Sequence, residues 1–384
     1  MAECGVEDGG VDTRTVLLAP DKFKGCLTGP EVAAALAAGL READPGVRVR
    51  TVPVADGGDG TVAALLARGW RPLEVRTAGP DGAPVVAQVA VRGTTAVVES
   101  ATTSGLALLR GGPLHPLTAG SRGVGEAIAA AVDAGARHVV VGVGGTACTD
   151  GGAGMLSALG ARVLDEHGRP VPDGGAGLER VATVDLAPAR RKLAGVEVTV
   201  ATDVDNPLLG AEGAAAVYAP QKGASPDDVL RLDDALHRWA GLVGGPADRP
   251  GAGAGGGLGY GLLAGLGGSV RSGVDLVLDL VGFATEVAAA DLVVTGEGRL
   301  DGQSLRGKTV MGVLRATQGA GREDPPPVVA VCGVDALGPA ATAGVGLARV
   351  WALVERASSP EDSVARAPEL LRAVGRELLD VLAR

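Results

Sequence analysis

"LEVRTAGPDGAPVVAQVAVRGTTAVVESA", residues 73–101, breaks the rhythm of a chain that otherwise alternates short β-branched runs with alanine-rich helical windows. Its three apolar runs read as strands. Pro80-Asp81-Gly82 and Arg92-Gly93-Thr94-Thr95 link them as turns, where proline presets φ and glycine accepts a positive one. The stretch is therefore an antiparallel meander set into an α/β protein.

Upstream, Thr15–Ala19 reads as a first strand, and Thr28 with Glu31 forms a capping box for a helix over 31–40. A strand over Val47–Val54 runs into "VADGGDGT" (54–61), and Gly60-Thr61 opens a helix over 62–68. Downstream, the pattern predicts a helix over 125–134, a strand over 138–143, a helix over 154–159 and a strand over 196–201. "GPADRPGAGAGGGLGYG" (245–261) reads as a flexible segment. Plain α/β units then return, with strands over 291–295, 327–331 and 348–354. The expected fold is α/β with two domains. One is discontinuous, residues 12–70 plus 284–384, with a Rossmann-like parallel sheet, and the other is an inserted domain, residues 71–283, with a mixed sheet.

Of 384 residues, 46% are hydrophobic, and the aromatic residues are only three Trp, two Tyr and two Phe. Small side chains must build the core, which suits close helix-on-sheet packing. No apolar stretch of about 18 residues escapes charge, proline or glycine clusters, so no spanning helix is expected. The start, Met1 to Asp8, is acidic and lacks a basic-then-apolar leader pattern, which points to a cytoplasmic protein. Cys4, Cys26, Cys148 and Cys332 are scattered without a CxxC pair, which argues against a disulfide framework or a zinc site. The net charge of −10 carries no basic block, so neither nucleic acid nor an anionic membrane is an expected partner.

Four strand exits combine glycine with charge: 19–25, 55–61, 142–152 and 295–308. In doubly wound sheets ligands sit beyond the carboxyl ends of strands, so these loops are expected to face one charged cleft. Two formal motifs compete there. Gly302 to Thr309 fits GxxxxGK[ST], but six residues separate it from the predicted strand 293–295, against a true phosphate loop. Gly142 to Ala147 fits a dinucleotide fingerprint, yet Asp150-Gly151-Gly152 would break the helix that fingerprint requires. Anion binding by the Gly144, Gly145 and Thr146 amides at a helix start survives both objections. Donors for phosphate, carboxylates for Mg2+ and an acid to orient a hydroxyl together indicate phosphoryl transfer.

The ordered strings "APDKFKGCLT" (19–28), "VPVADGGDGT" (52–61), "VGGTACTDGG" (143–152), "ATDVDNPLLG" (201–210), "PQKGA" (220–224) and "DLVVTGEGRLDGQSLRGK" (291–308) resemble the motif series of the bacterial glycerate kinase type-1 family. The resemblance runs from about Val16 to Val331. It implies an ATP- and Mg2+-dependent kinase acting on D-glycerate, generally at the 2-hydroxyl. Cys26, Thr146 and Thr149 stand where the family commonly has Ser, Ser and Asn, and Ser100 where an apolar residue is common.

On position and chemistry, Lys24 and Lys308 are expected to neutralise phosphate oxygens. Gly144, Gly145 and Thr146 bind the transferring group or glycerate, and Arg299 takes the glycerate carboxylate unless it pairs with Glu297. Asp203 or Asp150 orients the attacking hydroxyl, and Asp56 or Asp59 holds Mg2+, with Asp59 equally able to cap nearby amides. Lys222 reaches substrate or supports a turn. Asp21 and Ser104 join the substrate-binding set, with Glu297 and Asp301 as further charged neighbours. A catalytically silent nucleotide-binding module and an NAD-dependent dehydrogenase are the rival readings. A homodimer is one assembly the sequence admits.

Overall fold

The computed structural model describes residues 14–109, 112–302, 304–306 and 308–382. Cys4, the residues before 14, Gln303 and Gly307 of the phosphate-loop match, and Arg384 lie outside the described residues. In chain order the strands are β1 (Thr15–Pro20), β2 (Arg48–Thr51), β3 (Arg71–Ala78), β4 (Pro84–Arg92), β5 (Thr95–Glu99), β6 (His138–Gly142), β7 (Arg162–Leu164), β8 (Thr183–Asp185), β9 (Glu197–Ala201), β10 (Ser269–Arg271), β11 (Leu292–Leu300), β12 (Val328–Asp335) and β13 (Arg349–Ala352).

The chain divides into two compact units, Met1–Val54 with Gly282–Arg384, and Ala55–Val281. The first contains a wholly parallel sheet in the order β13-β12-β11-β1-β2. Every residue of β1 is buried, as expected for a strand with neighbours on both edges and helices on its faces. Its first helix, Gly29–Ala43, starts as the sequence predicts. The Thr28 hydroxyl accepts from the Glu31 amide and the Glu31 carboxylate accepts from the Thr28 amide. That helix buries Val32, Leu36 and Leu40 in one core with Leu370, Leu371 and Val374 of the helix Ala367–Glu377.

The second unit contains a mixed sheet, β10-β9-β6-β5-β4-β3. The meander is there as predicted: β3 pairs with β4 and β4 with β5, both antiparallel. From β5 onward the pairings to β6, β9 and β10 are parallel. The short antiparallel pair β7–β8 and the three-residue β10 were not predicted, because three residues are too few to show a period. Among the described residues, no helix is long and apolar enough to cross a membrane.

Two readings change. Residues 55–70, assigned by pattern to the discontinuous domain, fall in the second unit. The cause is Glu99 at the end of β5, whose carboxylate accepts from the amides of Gly60 (3.1 Å) and Val62 (2.9 Å) and so fastens the start of the helix Thr61–Ala67 to that sheet. The glycine-rich 251–261 is buried rather than a loose connection. Gly255, Gly256 and Gly257 all have positive φ, and a Cβ on Gly256 would stand 2.1 Å from the Cys148 carbonyl oxygen. Glycine is required there for close backbone approach.

Candidate active site

In the first unit, the ends of β1 and β11 and the start of the helix Thr309–Gln318 meet. Asp21 follows β1; one carboxylate oxygen accepts from the Lys22 amide (2.7 Å) and the other from the Thr309 hydroxyl (3.0 Å). Glu297 lies on β11, paired in register with Cys332. Burial pushes its carboxyl up to about 7, opposed by the Ser304 hydroxyl and the Lys308 charge and reinforced by Asp21 and Asp301. Its Oε1 is buried with no hydrogen-bond partner among the described residues. Asp301 receives a different anchor, its amide donating to Ser304 Oγ (3.0 Å). Lys24 and Arg299 are exposed. Arg299 approaches Asp301 at 3.5 Å, so its carboxylate neighbour is Asp301, where the sequence had suggested Glu297.

In the second unit, the parallel strands β5, β6, β9 and β10 place four loop starts at one carboxyl edge. Asp203, just past β9, occupies the amino end of the helix Gly273–Val281. Its Oδ1 accepts from Ser272 Oγ (2.8 Å) and the Gly273 amide (2.9 Å), and its Oδ2 from the Val274 amide (3.2 Å). Burial, together with the negative charge of Asp56, lifts this carboxyl to about 6 in spite of those donors. Asp56 Oδ1 accepts from the Gly58 amide at 3.1 Å, and Asp59 is exposed.

The glycines around Asp56 have a cause the sequence reading missed. A Cβ on Gly142 would lie 2.1 Å from the Gly57 carbonyl oxygen, one on Gly144 2.9 Å from Gly58 Cα, and one on Gly273 2.1 Å from the Asp56 carbonyl oxygen. They admit neighbouring backbone. Asp56 and Asp150, placed by the sequence in different domains, belong to the same unit.

The loop after β6 is not a helix start. No helix begins until Ala153, after Gly151 and Gly152 with positive φ, so the dinucleotide fingerprint fails for the reason given by its glycines. Thr146 instead bridges Gly105, and the Leu106 and Ala147 amides donate to Gly145 O (2.9 Å) and Ser104 O (2.8 Å). The Ser100 hydroxyl donates to Gly144 O (3.1 Å). A cavity of about 490 Å³ opens beside Gly145, lined also by Asp59, Ala101, Leu106 and Leu109, room enough for a small organic anion.

Asp150 is fully buried and accepts from Ser121 N (2.9 Å) and Oγ (2.8 Å), Gly152 N (3.1 Å) and Gly154 N (3.3 Å). Desolvation raises its pKa against those donors. Closed off from solvent and held by four donors from its own surroundings, it fixes the loop. Ser104 and Thr149 have buried hydroxyls without partners among the described residues, so Thr149 makes none of the side-chain bonds an amide could. Lys222, which the sequence left to reach substrate or to support a turn, is buried at the end of the 3-10 turn Pro220–Lys222. Glu99, Ser121 and Ser272 carry much of the positioning and were not singled out from sequence; each lacks a local signal, because the bonds that do this work reach Gly60, Asp150 and Asp203, which lie 39, 29 and 69 residues away. In the first unit, β11 continues to Leu300, so the six-residue gap before Gly302 shrinks to Asp301 alone, but a 3-10 turn, Ser304–Arg306, follows.

The glycerate kinase family model matches residues 16–383. A glycerate kinase of Bacillus subtilis (strain 168) is 40% identical over 94% of this chain and 96% of its own length. A glycerate 2-kinase of Escherichia coli (strain K12) is 38% identical over 79% and 82%. A crystal structure of a protein provisionally assigned as glycerate kinase 2 from Salmonella typhimurium LT2 superposes with a TM-score of 0.81 at 37% identity, covering 97% of this chain and 99% of that one. With motif order, fold and near-complete coverage in agreement, the chain belongs to the glycerate kinase family.

Proposed function

We propose that the protein transfers the γ-phosphoryl group of ATP to the 2-hydroxyl of D-glycerate, with Mg2+, giving 2-phosphoglycerate and ADP in the cytoplasm. The observation that carries the reading is the Asp203 carboxylate. It is half-buried at a strand's carboxyl end, has a pKa lifted to about 6, and keeps on Oδ2 a lone pair that only the Val274 amide competes for. A base of that strength is ionised at neutral pH and still accepts a proton as the hydroxyl oxygen becomes bonded to phosphorus. The O–H proton passes to Asp203, the new O–P bond forms, and the bond from the γ-phosphorus to the β-bridging oxygen breaks as ADP leaves.

Asp56 beside Asp203 suits Mg2+, which takes one or two carboxylates and completes its shell with phosphate oxygens and water. Among the described residues no group of three His, Cys, Asp or Glu could hold a metal by itself. When bound, Mg2+ neutralises charge on the phosphates. In this reading Asp56, with Asp59 as the exposed alternative, holds the ion. The Gly144, Gly145 and Thr146 loop holds glycerate or the transferring group. Lys24 and Lys308 serve phosphate oxygens, with Asp21 orienting the Thr309 end of the same cluster. Arg299, exposed and with a guanidinium fork that matches a carboxylate, takes the substrate carboxylate. Ser104, Glu297 and Asp301 shape these sites, and Asp150 is assigned to the loop.

The test is a coupled assay of ADP release with D-glycerate, ATP and Mg2+, followed by product identification by phosphorus NMR. Glycerate-dependent ADP release that stops on chelation with EDTA and returns with added Mg2+ is expected. ATP binding without glycerate-dependent turnover would instead favour a silent binding module.

A further inference from the structure

Lys222 ends the 3-10 turn Pro220–Lys222 and is 3% exposed. Its ammonium donates to the Cys148 carbonyl (2.5 Å) and to the Thr146 hydroxyl oxygen (3.3 Å). A buried ammonium is costly unless something uses its charge, and among the described residues no carboxylate forms an ion pair with it. Burial lowers the Lys222 pKa, while the through-space influence of Cys148 and Asp150 raises it, and the Asp150 oxygens accept from Ser121, Gly152 and Gly154. The fold makes room for the charge: a Cβ on Gly256 would stand 2.8 Å from Lys222 Nζ.

The loop that Lys222 touches is fastened on another side by the Gly105–Thr146 bridge and the Ala147 amide bond to Ser104. Two constraints therefore fix Thr146, one through its backbone and one through its hydroxyl oxygen.

We propose that Lys222 is a positioning residue for phosphoryl transfer: by holding the Cys148 carbonyl and the Thr146 hydroxyl from inside the fold, it fixes the Gly144–Cys148 loop, whose exposed Gly145 lines the cavity, in the shape that receives the anionic substrate, without touching that substrate itself. This rests on the reading above that the loop holds glycerate or the transferring group.

The test is a double-mutant cycle of Lys222→Met and Thr146→Val in the full chain, with thermal melting, kcat and KM for glycerate measured on each. Each single variant, measured on folded protein, is expected to lose roughly tenfold or more in kcat/KM, the scale of a charge-assisted hydrogen bond. The double variant is expected to be no worse than Lys222→Met, and Thr146→Ser to recover most of what Thr146→Val loses. A folded Lys222→Met protein with unaltered kcat/KM, or losses that multiply in the double variant, would overturn the proposal. Should Lys222→Met not fold, Lys222→Gln, which can still donate to the Cys148 carbonyl but carries no charge, enters the same cycle with the same deciding results. An active wild type with indifferent variants removes only the role of Lys222; a wild type inert to glycerate and ATP removes the proposed function itself.

Discussion

Asp203 and Asp150 are both acids at glycine-bearing loops, and their surroundings separate them. Asp203 keeps an accessible oxygen, so Asp203→Asn is expected to lower kcat by about 10²–10⁴-fold with little change in KM. As the proposed base Asp203 must be ionised, and with its pKa lifted to about 6, kcat/KM is expected to fall about tenfold per unit as pH drops below that value. Stability runs the other way. The folded pKa is above the ordinary 3.8, so the contribution of this group is present at low pH and lost as pH rises through about 6. The Asn variant should therefore melt no lower than wild type at pH 8. Asp150→Ala, in contrast, strands the buried amides of Ser121, Gly152 and Gly154 and is expected to cost at least about 3 kcal/mol, read from denaturant midpoints. Sequence offered both acids as the base, because an Asp beside glycines looks alike whether its oxygens face protein or solvent.

At the scale of elements, the helix pair of the first unit shows how glycine can be structural far from any loop. Gly39 and Gly375 sit inside the helices Gly29–Ala43 and Ala367–Glu377, where glycine costs about 1 kcal/mol relative to alanine. A Cβ on Gly39 would come within 2.0 Å of the Arg372 carbonyl oxygen, and one on Gly375 within 2.4 Å of Leu36 O. The backbones touch there, with Glu42 beside Arg376 at 2.9 Å near the crossing. Gly375→Leu is expected to destabilise by about 1–3 kcal/mol or more by overpacking, measured by urea denaturation, while sparing the amino-acid neighbours of the second unit. The strands and the capped helix were legible because their periods and Thr28-x-x-Glu31 are local. The pairing of the first helix with one near the chain's end was not, since nothing in either helix names its partner.

The whole molecule is two units with separate cores, one gathered around Leu18, Leu36 and Leu371, the other around Ile128, Val141 and Trp239. Only the second is continuous in sequence. A fragment spanning residues 55–281 is therefore expected to fold and melt cooperatively by itself, whereas a fragment ending at residue 54 holds only β1, β2 and one helix and is expected to stay unfolded by circular dichroism. A non-cooperative melt of the longer fragment would show that its core depends on the rest of the chain.

By itself the sequence determined the α/β class, the meander, the family and the set of charged residues, because each is written in local period, turn chemistry or ordered motifs. Tertiary structure alone decided which of those residues have oxygens or protons to spare. It moved residues 55–70 to the second unit through Glu99, closed Asp150 inside its own loop, turned Gly57 and the glycines of 253–261 into sites of backbone contact, and buried Lys222. The physical reason is common to all four. Burial and hydrogen-bond satisfaction depend on atoms brought close from distant parts of the chain, and a residue's neighbours in sequence carry no record of them.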